Sequence, residues 1–361
     1  MKLLTRYLLR NNLFLLFAIL LIGTGLYVLT DLFERLDYFL DANFGLLNTL
    51  WFYSLKIPLI ISQILPAVFL IAVIVQFSLM GKARELVALQ SGGVSPLVFL
   101  RFVLLYGFLL ALLQLALSQV FGVEGDRLST KMWREEVKGR VEGATQMHGL
   151  WFVDKSYVVY LGVAHPVAGT GTDFFAYQLS DDNKQLRQMV RAESFSVDKR
   201  TWTLHKATVI TPETYGYELR EEMILPLNQD IKAFLAIDPD TKPTHLPIWS
   251  LHEAISNLEQ SGSNVEVLRT TFHSRFSYAA SLLAMGVLGL AIVLRRNNVY
   301  LAVGIGLVIT FLFYALTTLC SSLGEKGVLS PVIAGWLSVV LFFIVGLMAV
   351  FWHIRPKFRT S

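Results

Sequence analysis

Lys82-Ala83-Arg84-Glu85-Leu86-Val87-Ala88-Leu89-Gln90-Ser91-Gly92-Gly93-Val94-Ser95-Pro96 lies between two long apolar runs, and its reading decides the rest. Lys, Ala, Arg, Glu, Leu and Gln favour helix, and Gly92-Gly93 stops it. Ser95 as N-cap and Pro96 as first helical residue start the next helix. The stretch predicts a short helix over 82–93, outside a membrane, between two helices that cross it. The flanking spans already anchor the chain. Such a helix therefore serves to dock something soluble.

Composition agrees. Of 361 residues, 54% are hydrophobic and 16% charged, with mean hydropathy +0.54. A soluble chain of this size is more polar, and here the apolar residues gather in runs long enough to cross a bilayer. The net charge of +4 sits mostly on short loops and reads as membrane topology, not nucleic-acid binding. The single cysteine, Cys320, excludes an internal disulfide and reads as a packing residue. The basic N-terminus with its apolar run has no small-residue cleavage site before Asp31, so it reads as a retained span.

Six spans are expected, at about 13–30, 57–80, 96–123, 276–294, 299–319 and 332–352. Residues 1–12 read as an amphipathic basic helix at a membrane surface. An acidic loop is expected over 31–50, and Pro58 and Pro66 should bend the second span and free backbone carbonyls. Basic residues cluster on one set of flanks: Lys2, Arg6, Arg10; Lys82, Arg84, Arg101; Arg295, Arg296; Arg355, Lys357, Arg359. The positive-inside rule then makes both termini and the 82–93 helix cytoplasmic.

Residues 124–274 read differently. Aromatic and β-branched residues alternate with polar ones over 151–162, 173–179, 194–196, 202–210 and 217–225, which reads as antiparallel strands. Asp181-Asp182-Asn183 and Asp198-Lys199-Arg200 read as turns, 251–259 as a helix, and 261–264 as a loop. The expected fold is thus an α+β membrane protein of six transmembrane helices. Residues 1–123 form three spans, 124–274 an inserted antiparallel β-sandwich or roll on the non-cytoplasmic side, and 275–361 three more spans.

No Gly-x-x-x-x-Gly-Lys-Ser/Thr loop, His-Glu-x-x-His or Gly-x-Ser-x-Gly occurs. The seven histidines are scattered, and no metal or cofactor set emerges. Few ionisable residues lie deep in the spans, which argues against a proton relay. Gln63, Gln76 and Gln114 read as interhelical hydrogen-bonding groups.

The chain resembles the LptF/LptG permeases of the lipopolysaccharide exporter. Arg6-Tyr7-Leu8 is similar to the family's start. Glu85-Leu86-Val87-Ala88-Leu89-Gln90-Ser91-Gly92-Gly93 resembles its coupling helix. Gly149-Leu150-Trp151 with Tyr157-Val158-Val159-Tyr160 is similar to its periplasmic domain, and Gly324-Glu325-Lys326-Gly327 before Leu329-Ser330-Pro331 to its last external loop. The likeness leans to the LptG branch.

The resemblance implies an inner-membrane LptF–LptG heterodimer on two LptB-like ATPase subunits. It implies lipopolysaccharide entering laterally between span one of one permease and span five of the other. The lipid then passes along a periplasmic jellyroll-like domain toward LptC-like and LptA-like proteins. No catalytic residue belongs to this scheme, and ATP hydrolysis falls to the separate subunit. Arg84, Glu85, Leu86, Leu89 and Gly92 would then meet the ATPase. Phe14, Phe17, Leu21, Leu26, Phe311, Phe313 and Leu316 would line the lipid path. Where the family carries lysines, this chain reads Leu26-Tyr27-Val28-Leu29-Thr30-Asp31, so lipid phosphates would fall to Arg35, Lys56 and Lys326. Trp151, Val153, Tyr157, Val159, Trp202 and Leu204 would line an acyl groove, with a sheet edge pairing to the next protein. Two other readings share much of the pattern: an exporter of another amphiphile such as lipoprotein, and a membrane scaffold or lipid-modifying enzyme.

Overall fold

The computed structural model describes residues 2–138, 147–154, 156–180, 185–198, 201–212, 216–227, 231, 246–260, 265–296 and 298–354. The chain divides into two compact units: residues 1–138 with 269–361, and residues 139–268. The expected boundary at 123/124 falls inside helix, because no glycine or proline with helix-ending geometry interrupts it before Val137.

Among the described residues, the first unit holds six helices long and apolar enough to cross a membrane. Helix α1 is Lys2–Asp41, α2 Leu46–Lys82, and α3 the short Glu85–Ser91. Helix α4, Pro96–Ala116, passes through a π-helical stretch, Leu117–Gly122, into α5, Val123–Met132, and a second π stretch, Trp133–Val137. Helix α6, Ile248–Gln260, belongs to the second unit. Helix α7 is Glu266–Arg295, α8 Val299–Glu325 and α9 Pro331–Ile354.

The acidic loop expected over 31–50 is mostly helix. Residues 31–41 continue α1, and only 42–45 turn, with Asn43 and Gly45 in the left-handed region. Asp, Glu, Arg, Leu and Phe at these positions do not break a helix, so acidity signals solvent, not a coil. At 40 residues α1 is about 60 Å long, roughly twice a bilayer's hydrocarbon thickness.

Helix α2 is the spine, packing against α1, α3, α4, α5 and α8. Glycines let neighbours close on it. A Cβ on Gly286 of α7 would lie 2.6 Å from Phe69, one on Gly306 of α8 2.6 Å from Ile74, and one on Gly125 of α5 on the Leu55 carbonyl. Pro66 has no N–H for the Ser62 carbonyl one turn back, and that carbonyl accepts from Gln114 Nε2 of α4 at 3.3 Å. The next carbonyl, Gln63, accepts from the hydroxyls of Tyr278 and Tyr314. The carbonyl freed by Pro66 is thus taken by a side chain from α4, and the carbonyl next to it accepts from α7 and α8. Cys320 is a buried free thiol.

The second unit holds a six-stranded antiparallel meander, β1-β2-β3-β4-β5-β6 in sheet order. Its strands are β1 Met147–Asp154, β2 Tyr157–His165, β3 Thr170–Leu179, β4 Leu186–Asp198, β5 Thr201–Thr211 and β6 Gly216–Leu225. The strand expected over 151–162 is two, joined by a tight hairpin that pairs Asp154 with Tyr157. The piece expected at 194–196 extends over all of β4. Asp181-Asp182-Asn183, Lys199-Arg200 and residues 261–264 lie outside the described residues.

One transverse row sets the curvature. Gly149, Gly162, Asp173, Glu193, Lys206 and Glu221 stand opposite one another, and the pairing skips each of them while the register on either side is unchanged. Gly149, Asp173 and Lys206, on alternate strands, have φ of 67°, 57° and 53°. The extra residue flips the side-chain parity in β1 to β5, so both halves of those strands turn their apolar side inward, while residues 216–222 of β6 are exposed. On β5 the buried residues are Trp202, Leu204 and then Ala207; on β4 they are Val190, Ala192 and then Phe195. The bend brings Phe152 of β1 to 5.7 Å from Trp202 of β5, and Phe174 and Phe195 complete the core. Lys206 reaches back to Glu193 at 2.8 Å, and this hydrogen bond holds the exposed Glu193 carboxyl below its ordinary range.

Gly125→Val forces a side chain onto the Leu55 backbone, which cannot rotate away. The expected cost is about 1–3 kcal/mol or more, seen as a lower thermal midpoint of the detergent-solubilised protein. Gly304→Val, which meets no atom within 4 Å, should leave the midpoint unchanged.

Candidate functional site

Helix α3 begins at Arg84, whose φ of 58° turns the chain out of α2, and ends at Gly92-Gly93, where Gly93 takes φ 87°. Ser95 then caps α4 by accepting from the Leu97 N–H at 3.3 Å, as its sequence predicts. Leu86 and Leu89 do not face outward. They pack against the membrane core, being i and i+3 on one face. The outward face carries Arg84, Val87, Ala88 and Ser91, with Val87 58% exposed. Leu86 and Leu89 therefore fasten the helix, and Val87 supplies its apolar contact surface. Gly92 is exposed beside it.

Glu85 lies between these faces. Its Oε2 accepts from the Tyr7 hydroxyl of α1 at 2.9 Å. Between α1 and the α2–α3 turn opens a cleft of about 880 Å³, walled by Tyr7, Arg10, Phe14, Lys82 and Glu85 among others. The sequence placed Arg6-Tyr7-Leu8 in a motif but could not show that Tyr7 meets Glu85, 78 residues away.

Helix α1 is nearly bare. Only 6% of its most apolar stretch is buried, against 78% for α7. Phe14, Phe17, Leu21 and Leu26 are 60–74% exposed. Polar ties hold it to α2. Asn12 Nδ2 donates to Gln76 Oε1 at 2.7 Å, and Gln76 Nε2 donates to the Leu8 carbonyl at 2.8 Å, all buried. Farther along, Asp31 Oδ2 accepts from Tyr53 OH at 3.0 Å and ion-pairs Arg35 Nε at 3.0 Å and Lys56 Nζ at 3.5 Å. Arg35 stacks 4.5 Å over Trp133, and Lys56 lies 5.0 Å from the Phe52 ring. Phe39, Phe44, Phe52 and Tyr53 pack beneath them with Trp133. Arg35 and Lys56, expected as separate cations, are thus one site with a shared carboxylate. Lys326 stands apart and exposed at the C-terminal cap of α8.

On α8, Phe311 is 71% exposed, but Phe313 is fully buried against Phe342 and Tyr314. Two helical steps turn 200°, so these two residues cannot share a face. Leu316 is half-buried.

In the sheet, Val159, Trp202 and Leu204 are fully buried, and Tyr157 packs against them. Trp151 and Val153 lie on the opposite face. The hairpin pairs Trp151 with Tyr160, and directly paired residues share a face, so the parity of one continuous strand does not carry through the turn. Outside, Trp151 contacts Tyr160 at 4.7 Å and Tyr160 contacts Phe175 at 6.0 Å, with Arg191 over Phe175. Among the described residues no three His, Cys, Asp or Glu side chains gather as metal ligands.

Residues 6–353 match the family described as lipopolysaccharide export system permease LptF/LptG. The chain is 24% identical over 371 residues to the lipopolysaccharide export system permease protein LptG of Haemophilus influenzae, covering 98% of each. It is 22% identical over 321 residues to that of Escherichia coli K12, covering 85% of this chain and 86% of the relative.

The two tryptophans separate the faces of the sheet. Trp202→Ala should remove about 3–5 kcal/mol from the core. Trp151→Ala should cost no more than the ring pair it breaks, about 0.5–1.5 kcal/mol. Limited proteolysis of the full-length protein should cut residues 147–225 readily in the first variant and no more than about tenfold faster than the wild type in the second.

Proposed function

The chain belongs to the LptF/LptG family of lipopolysaccharide export permeases, and from that premise we propose how its parts divide the work. It is a multi-pass inner-membrane permease subunit of the lipopolysaccharide transporter. Both termini and α3 face the cytoplasm, and the sheet faces the periplasm; the basic flanks support this sidedness. A paralogous permease completes a heterodimer above two LptB-like ATPase subunits. The chain has no phosphate-binding loop of its own, which fits hydrolysis in those subunits.

The observation that carries this reading is the pairing of an outward-facing α3 with a bare α1 through Tyr7 and Glu85. Val87 and Arg84 meet the ATPase, and Glu85 sits at the edge of that contact. Movement of α3 reaches α1 directly by the hydroxyl–carboxylate bond. Acyl chains lie along Phe14, Phe17, Leu21, Leu26 and, from the paralogue's side, against a face like that of Phe311. An exposed apolar helix face of this size belongs against lipid or a partner, not water. Lipid phosphates meet Arg35, Lys56 and Lys326. The inner wall of the sheet is filled by its own aromatics, so the roll admits acyl chains by parting around Trp202, Leu204 and Val159. It hands them to LptC-like and LptA-like proteins by edge pairing.

Glu85→Ala and Val87→Asp should each lower co-purification of the ATPase and export of lipopolysaccharide, by roughly tenfold if one charge-assisted or apolar contact is lost. Unaltered values for both variants would overturn the docking surface.

In-cell photocrosslinkers at Phe14, Phe17, Leu21 and Phe311 should capture lipopolysaccharide, and one at the buried Phe313 should not. Equal capture at exposed α9 residues such as Val345 would refute the path.

A further inference from the structure

Asp31 is an odd neighbour for a phosphate-binding pair. Two of the three cations that the lipid reading needs are already engaged by one carboxylate oxygen, which also accepts from Tyr53 and leaves the pair a net positive charge. The arrangement is built. Arg35 follows Asp31 by one helical turn, and Tyr53 and Lys56 come from α2, so the carboxylate joins two helices. The side chains are partly open, with Asp31 13%, Lys56 14% and Arg35 29% exposed. Aromatic rings hold both cations from behind, so they stay in place if the carboxylate leaves. Farther down α1, the Asn12–Gln76 pair is the next polar tie to α2, and between the two ties only one face of the helix packs, through Leu16 and Ile19.

A phosphomonoester carries more negative charge than a carboxylate and offers three acceptor oxygens. It can engage both cations at once.

We propose that Asp31 is the resident counter-ion of a lipid-phosphate site. It holds Arg35 and Lys56 between substrates, yields both to an arriving lipid phosphate, and so releases the polar tie between α1 and α2 at that level, above the Phe39–Phe52–Tyr53 packing. This rests on the permease reading and deepens it. The same carboxylate sets a selectivity threshold: only an anion stronger than a carboxylate opens the clasp, so zwitterionic and neutral lipids leave it shut. Asp126 also acts on Lys56 electrostatically and remains there as a second acid when Asp31 has moved.

The test uses the assembled transporter in nanodiscs. A photocrosslinker at Leu26 reports lipid, and spin labels at Phe33 and Leu50 report the separation of α1 from α2. The probes are phosphorylated lipopolysaccharide, its dephosphorylated form, and inorganic phosphate alone. In the wild type, phosphorylated lipid should lengthen the Phe33–Leu50 distance and the other two should not. Asp31→Asn should raise capture of phosphorylated lipid roughly three- to tenfold, the size of one charge-assisted contact. It should also show the long distance without lipid. Tyr53→Phe, which keeps every charge, should move both readouts the same way by less, and it decides the matter if Asp31→Asn fails to assemble. Unchanged or reduced capture in these variants, with the distance unmoved, overturns the clasp while leaving the lipid path standing. Lengthening by inorganic phosphate alone overturns the lipid as the opener. If wild-type Leu26 captures no lipopolysaccharide at all, the permease path itself fails, and the clasp with it.

Discussion

A helix in a bilayer has no water to satisfy a backbone carbonyl, so every group it frees must find a partner within the protein. Helix α2 contains two prolines; the Ser62 carbonyl opened at Pro66 is taken by Gln114, and the neighbouring Gln63 carbonyl accepts from Tyr278 and Tyr314, so three other helices bind this turn. Those bonds fix which helices surround α2 and at what height. The glycines on α5, α7 and α8 then let them approach to contact. Dispersion and hydrogen bonding drive such packing where no hydrophobic effect operates between helices. The remaining helices of this unit take their places from that arrangement.

Helix α1 is the exception in this unit. It is among the longest helices and buries the least of its apolar stretch. Being one rod, it carries Tyr7 near one end and Asp31 some 24 residues on, about 36 Å away. A push on Glu85 and a change at Asp31 act on the same rigid body. Polar ties at the two levels, with apolar side chains left outward between them, suit a helix that must hold position and also release.

The sheet solves a different problem. A regular six-stranded meander has one apolar face and would twist without closing. A single extra residue at the same height in the strands bends the sheet, and in β1 to β5 it flips the parity so that both halves present apolar side chains to the core. Lys206 and Asp173 accept left-handed backbone there without glycine's freedom, and the Glu193 ion pair helps hold Lys206 in it.

The sequence by itself determined the class: six apolar helices, the short helix expected over 82–93, the Ser95 cap of the helix after it, and strands through the middle. These follow from local rules of run length, capping and alternation, which need no partner. Even the transverse bend was legible in principle, because the apolar spacing in β4 and β5 runs two, then three, reading Ala192 to Phe195 and Leu204 to Ala207. The tertiary structure decided which face each residue shows. It buried Phe313 while exposing Phe311, turned Leu86 and Leu89 inward, and put Trp151 opposite Val159. It also joined Glu85 to Tyr7 and gave Arg35 and Lys56 one carboxylate. Periodicity names a helix face or a strand parity only up to rotation and register, and hairpin turns, glycine contacts and pairings across dozens of residues set those last.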